Sequence, residues 1–254
     1  MAVEVDVPTA VLQKMFARIE AVFEKLANEE PYWTVLTQEK YKMASIKQNR
    51  QEFYDSGKRS IEILKAFACR AGIDLTSLSC CFELGCGVGR ITVWLAELFP
   101  RVLGWDISRR LLDETSAAMT AFGRRNVELT LANKFTAYEH LPEFDIFYST
   151  IVFQHNPPPV IHYMLGCLLD RLRPGGVGLF QVPTYQVGYV FSADAYLAKE
   201  PRGDGIEMHV LPQKVLIELL EEKGCRLLEL REDGATGPGE ARVSNTVFVQ
   251  KRPW

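Results

Sequence analysis

Cys80-Cys81-Phe82-Glu83-Leu84-Gly85-Cys86-Gly87-Val88-Gly89-Arg90, followed at once by Ile91-Thr92-Val93-Trp94-Leu95-Ala96-Glu97-Leu98, is the stretch whose reading decides the fold. A short apolar run ends in an acidic residue, turns on three alternating glycines, and opens a segment whose Ile91, Trp94, Leu95 and Leu98 share one helical face. The pattern predicts strand, tight glycine loop, helix. Glycine suits the loop because the backbone there must take conformations a Cβ forbids and must let a ligand approach. The helix start then offers unpaired N–H groups to that ligand.

The dinucleotide fingerprint G-x-G-x-x-G does not fit, because the third glycine comes one residue early and Arg90 takes the place of the last small residue. About twenty residues on, Asp106 ends the apolar run Val102-Leu103-Gly104-Trp105, where an acidic side chain can accept hydrogen bonds from ribose hydroxyls. A nucleoside ligand therefore passes the test without a pyrophosphate.

With Asp145-Ile146-Phe147-Tyr148-Ser149 and Leu172-Arg173-Pro174-Gly175-Gly176 added, the chain resembles the class I S-adenosylmethionine-dependent methyltransferases over roughly residues 57 to 251. The resemblance implies an α/β fold, a doubly wound, mostly parallel seven-stranded Rossmann-like sheet. Residues 1–56 are expected as a helical N-terminal cap within the same domain, and residues 57–254 as the methyltransferase domain, with an insertion or lid near 183–211.

The 254 residues suffice for one large core, and the formal charge of −3 gives no general attraction to nucleic acid or anionic lipid. No apolar run reaches membrane-spanning length and Met1-Ala2-Val3-Glu4-Val5-Asp6 is acidic, so a soluble, cytoplasmic protein is expected. Cys69, Cys80, Cys81, Cys86, Cys167 and Cys225 lack paired spacing or companion histidines and read as small buried hydrophobes.

Strands alternate with helices along the chain, which predicts parallel pairing with right-handed crossovers. An amphipathic helix is expected over 9–28, broken at Pro31, and another from Ser56 or Gly57 to Gly72. After the strand that leads into the glycine loop, strands follow at 102–106, 127–131, 144–151 and 177–182, with helices near 109–122, 158–172 and 212–224 between and after them. Two last strands, 225–231 and 243–251, flank a glycine-rich turn from Gly234 to Gly239. The family's chain before the first strand often closes over the cofactor, and Phe53-Tyr54-Asp55-Ser56-Gly57 is the expected place of closure.

Ligands of doubly wound sheets bind beyond the carboxyl ends of the strands. The resemblance implies that Glu83, Gly85 and Gly87 surround the methionine part of S-adenosylmethionine, with Cys86, Gly89 and Arg90 also among the cofactor-binding residues. It assigns the ribose to Asp106, the adenine face to Ile107, and the adenine amino group to Asn133 beside Lys134. The family usually has an acidic residue at the place of Asn133, and an amide can still accept that bond through its carbonyl oxygen. The plainer alternatives are that Glu83 only ties the loop and Asp106 only caps the next helix.

Methyl transfer from a sulfonium needs the acceptor held at near-attack distance, and a hydroxyl or ammonium acceptor also needs a base. His155, in Phe153-Gln154-His155-Asn156 after the fourth strand, is the leading base candidate, against a role satisfying backbone groups at the strand end. His209 beside Glu207 is the weaker one, and Tyr54, Gln154 and Tyr185 are expected to touch the acceptor. Asn156-Pro157-Pro158-Pro159 lacks the aromatic of the amino-methyltransferase motif and reads as a helix start. Ser149, Thr150 and Ile151 stand where a metal-dependent enzyme needs a carboxylate, so no catalytic metal is expected.

The expectation is methyl transfer to a small-molecule or glycan acceptor, at oxygen, with S-adenosyl-L-homocysteine as the other product. The rival readings are an RNA or protein methyltransferase, for which the basic residues between 40 and 59 are the only dense candidate face, and a non-catalytic cofactor-binding module acting through a partner.

Overall fold

The computed structural model describes residues 3–200, 206–237 and 241–253. The elements run α1 (Thr9–Glu29), α2 (Pro31–Val35), α3 (Ile46–Ala71), β1 (Cys80–Leu84), α4 (Thr92–Leu98), β2 (Arg101–Asp106), α5 (Arg109–Ala121), β3 (Val127–Leu131) and β4 (Phe144–Ser149). They continue as α6 (Pro158–Arg171), β5 (Leu172–Gln186), α7 (Ala193–Ala198), α8 (Gln213–Glu222), β6 (Cys225–Glu232) and β7 (Arg242–Lys251). The strands form one seven-stranded sheet in the order β3-β2-β1-β4-β5-β7-β6. This is the Rossmann-like methyltransferase architecture the sequence predicts. Among the described residues no helix is long and apolar enough to cross a membrane.

Two compact units make up the chain, one of residues 20–133 and 144–148, the other of residues 1–19, 134–143 and 149–254. In the first, β1 lies between β2 and β4, parallel to both, and all five of its residues are buried. A strand covered on both faces reads as a continuous apolar run, which is why Cys80 to Leu84 shows no alternation. Asp145 fixes the start of β1, its carboxylate accepting the Ser79 and Cys80 N–H groups at 3.0 and 2.9 Å. In the second unit β7 pairs antiparallel with both β5 and β6.

Strand β4 ends at Ser149 rather than at 151, where Ile151 turns into the left-handed region, and three other boundaries differ further from the sequence expectation. Helix α3 does not start at Ser56 or Gly57 but runs unbroken from Ile46 to Gly72, a left-handed cap with φ 69°. Pro31 opens the short helix α2 rather than merely ending α1, since proline suits the first helical turn. Strand β5 continues on both sides of 177–182, through Pro174-Gly175-Gly176 and past Pro183. The strand absorbs that second proline beside a register shift against β7, between Pro183 and Tyr185. The expected turn is described only as far as Gly237, because Gly239 lies outside the described residues, as do 201–205 of the expected lid. Cys80, Cys81, Cys86 and Cys225 are buried, whereas Cys69 is exposed and Cys167 half-buried.

Candidate functional site

Between β1 and α4 the chain makes the predicted glycine loop. Its entry is tied to β2 by the Trp105 carbonyl, which accepts the N–H groups of Gly85 and Cys86 at 2.7 and 3.1 Å. Gly85, Gly87 and Gly89 all have positive φ, at 71°, 59° and 82°, a region other L-residues enter only with strain. Each glycine faces something different. A Cβ on Gly87 would sit 2.8 Å from Val35 Cγ2, and one on Gly89 3.1 Å from Met119 Cε and 3.2 Å from Thr115 Cγ2. Gly85 alone of the three is half-exposed, and so is the one open to a ligand. The first helical N–H groups are less open than expected, because those of Val93, Trp94 and Leu95 bond the carbonyls of Gly89 and Ile91.

The segment covering this loop is not quite the one expected. Tyr54 is buried and donates its hydroxyl to the Val88 carbonyl at 3.0 Å, with Phe53 edge-on beside it. Gly57 lets α3 touch the start of α4 so closely that a Cβ would fall 2.2 Å from the Arg90 carbonyl oxygen. Tyr54 thus braces the loop through the Val88 carbonyl, and Val35 of α2, which no sequence pattern marks, lies on Gly87.

Two carboxylates close the site. Asp106 accepts the Gly87 N–H at 2.8 Å and the Ser108 N–H at 3.0 Å, while the cap of α5 is Ser108 itself. Burial pushes Asp106 up to about 6 against those bonds. Glu83 is 3% exposed and leaves Oε2 without a partner, and Arg90 Nε and Thr92 Oγ1 are likewise buried and unmatched. Burial raises Glu83 to about 7, with the neighbouring Thr92 hydroxyl and then the Arg90 charge pulling it back, and burial lowers Arg90. Buried polar atoms are nearly always bonded, so this orphaned set fits a polar ligand with a cationic group that reaches Glu83. Ile107 and Asn133 are half-buried, and the Ala132 N–H bonds the Asp106 carbonyl at 2.7 Å, which sets Asn133 just past that strand end. Lys134 is exposed.

In the other unit, β4 gives way to Ile151, a β-branched residue at φ 60°, and then to a one-turn 3-10 helix, Phe153–His155. His155 Nδ1 lies 3.1 Å from the Glu207 carbonyl and Nε2 3.1 Å from the Gln154 amide nitrogen. Burial lowers His155 to about 4, so the ring is neutral at pH 7. His209 is enclosed by Tyr189, Phe191 and Tyr196, with one ring nitrogen 2.9 Å from the Tyr189 hydroxyl and the other 3.2 Å from Glu207. Glu207 is also paired to Arg18, whose guanidinium donates to the Tyr196 carbonyl at 2.7 Å and lies over its ring. His209 is therefore part of a pin between α1 and the segment after β5. Gln154 is buried, whereas Tyr185 is 53% exposed at the end of β5.

Parallel strands around β1, the left-handed glycine loop and the acidic end of β2 together make up the fold and loop that the resemblance to class I S-adenosylmethionine-dependent methyltransferases implies. Residues 82–176 match the family described as a methyltransferase domain. A trans-aconitate 2-methyltransferase from Deinococcus radiodurans is 34% identical over 103 residues, 40% of this chain and 36% of that protein. The match thus spans little more than a third of that relative's length. Among solved structures, magnesium protoporphyrin IX methyltransferase from Synechocystis PCC 6803 with bound SAM is similar with a TM-score of 0.59 and 13% identity, over 92% of this chain and 97% of that one. The DhpI–SAH complex is similar with a TM-score of 0.59 and 18% identity, over 95% and 98%. These likenesses are of fold.

Proposed function

We propose that the protein transfers a methyl group from S-adenosylmethionine to a small-molecule acceptor at oxygen. The observation that carries this reading is the glycine loop, whose middle glycine is tied by Asp106 and beside which Glu83 keeps an unmatched oxygen. S-adenosylmethionine, when bound, supplies a methyl group already activated by its sulfonium. Glu83 would take its cationic amino group, Gly85 the backbone approach, Asp106 the ribose hydroxyls, and Ile107 and Asn133 the adenine. The Asp106 carboxylate has about four acceptor sites, so one remains beside the backbone N–H groups of Gly87, Ser108 and Ile107.

His155 would take the acceptor's proton. A base near pH 4 is weak, but a hydroxyl becomes strongly acidic as its oxygen is alkylated, so a neutral imidazole suffices. An amine held as ammonium, with a pKa of roughly 8 to 10, would not yield its proton to such a base before attack. This difference supports oxygen over nitrogen. The relative's name, which gives trans-aconitate as its acceptor, supports a small molecule.

The test is label transfer from methyl-labelled S-adenosylmethionine, offered with small carboxylic acids and hydroxyl compounds, total RNA, or protein extract. Label in the first arm with formation of S-adenosylhomocysteine supports the reading. Label in RNA or protein overturns the acceptor class, and failure to bind S-adenosylmethionine by calorimetry overturns the whole.

A further inference from the structure

We infer that Gln181 is a positioning residue that fixes which nitrogen of His155 carries the proton. Gln181 lies on β5 and is buried. Its Oε1 accepts the N–H of Ile151 at 3.0 Å, and its Nε2 donates to Gln154 Oε1 at 3.1 Å and to Ser244 Oγ at 2.6 Å. Gln154 Nε2 then faces His155 Nε2, and His155 Nδ1 faces the Glu207 carbonyl.

The polarity of this chain is set from both ends. The Ile151 N–H can only donate, so the oxygen of Gln181 must face it and the nitrogen must face Gln154. Gln154 must in turn present its oxygen to Gln181 and its nitrogen to the ring. His155 Nε2 is thereby an acceptor and Nδ1 carries the hydrogen. The far end agrees independently, because the Glu207 carbonyl can only accept. Glu207 is held there by the neighbouring backbone bond from the His209 N–H to the Gln154 carbonyl, at 2.7 Å. Every link donates in the same direction, from a backbone donor to a backbone acceptor.

Ile151 is the anchor. A β-branched residue in the left-handed region is strained, and such strain persists only where the surroundings over-determine it. The strained turn aims its N–H at Gln181, which gives the strain a use. Burial and the His209 charge favour the neutral ring, and the Glu207 carboxylate is engaged by His209 and Arg18 rather than by His155.

The catalytic consequence rests on the reading of His155 as the acceptor-side base, which takes a proton at Nε2 only when the acceptor displaces the Gln154 amide from that atom, with Nδ1 keeping its own proton. The tautomer itself does not rest on it. The test is therefore long-range ¹H–¹⁵N correlation of the histidine rings at pH 7, feasible with four histidines, assigned by comparison with His155→Ala. The full chain should show His155 neutral with Nδ1 protonated. In Gln181→Glu the carboxylate still accepts from Ile151 but cannot donate to Gln154, so Gln154 turns its oxygen to the ring and Nε2 must take a proton. The Nδ1–H pattern should give way to a doubly protonated ring, and turnover should fall about a hundredfold, the low end of what a general base supplies, with KM for S-adenosylmethionine unchanged. Gln154→Glu should give the same spectral change by shortening the chain, in case Gln181→Glu does not fold. A full chain with Nε2 protonated, or a Gln181→Glu spectrum with the Nδ1–H pattern intact, overturns the assignment. A spectral change without loss of turnover leaves the positioning in place and removes His155 from the mechanism instead.

Discussion

Replacing Glu83 by Gln should make the ligand-free protein more stable at neutral pH. Burial raises this carboxyl from an ordinary value of 4.5 to about 7, so the folded chain holds its proton after the unfolded chain has released it. Between pH 4.5 and 7 the folded state binds more protons than the unfolded one, and stability is lost as pH rises. The shift of 2.5 units at 1.36 kcal/mol per unit gives a loss of about 3 kcal/mol, complete above pH 7. Asp106, raised from 3.8 to about 6, adds a slope of the same sign to both proteins, which cancels in the comparison apart from its repulsion of Glu83. Urea unfolding of both proteins from pH 4 to 8 reads the difference from the midpoints at common slope. Glu83→Gln should match the parent near pH 4.5 and exceed it by about 3 kcal/mol at pH 8. A difference that is flat with pH, or a parent that is the more stable at pH 8, refutes the reasoning. Saturating S-adenosylmethionine should narrow the gap, because a cationic group at Oε2 favours the charged carboxylate.

Gly57→Ala should destabilise the fold despite a helix-propensity gain of about 1 kcal/mol, because its Cβ meets the rigid Arg90 carbonyl at 2.2 Å; overpacking of about 3 kcal/mol or more leaves a net loss near 2 in urea unfolding. Asp106→Asn keeps one acceptor oxygen for two backbone donors, so it should cost about 1–3 kcal/mol of stability and weaken S-adenosylmethionine binding by calorimetry. Unchanged affinity would reduce Asp106 to a tie for the loop. His155→Ala should lower kcat by about 10²–10⁴ with cofactor affinity unchanged, and equal turnover would exclude it as the base.

The half of the fold around β1 was legible because its signals are local. Buried parallel strands announce themselves as apolar runs, β3 falls on the residues expected, and a glycine loop can be read within ten positions. Misreadings fell where a residue answers to something distant in sequence. Gly57 looks like a helix start, yet it sits inside α3 because the Arg90 carbonyl leaves no room for a side chain. Pro183 looks like a strand end, yet β7 carries β5 past it. The tautomer of His155 depends on residues 151, 154, 181 and 207, which no periodicity links.

The glycine loop shows how a legible motif still hides its division of labour. Three glycines with the same left-handed backbone invite one explanation, a ligand brought close to the main chain. Here Gly89 is needed for packing against α5, Gly87 gives room to Val35 and donates its N–H to Asp106, and Gly85 is left as the point of approach. Thr115 bonds the Gly87 carbonyl at 2.6 Å while Tyr54 bonds that of Val88, so these two buried peptide oxygens of the turn are already taken by side chains. The loop is consequently rigid before any ligand arrives, and the unmatched polarity it presents is concentrated at Glu83, Arg90 and Thr92. An acid and a guanidinium side by side suit a head group that carries both signs better than a phosphate, which would meet Glu83 with like charge.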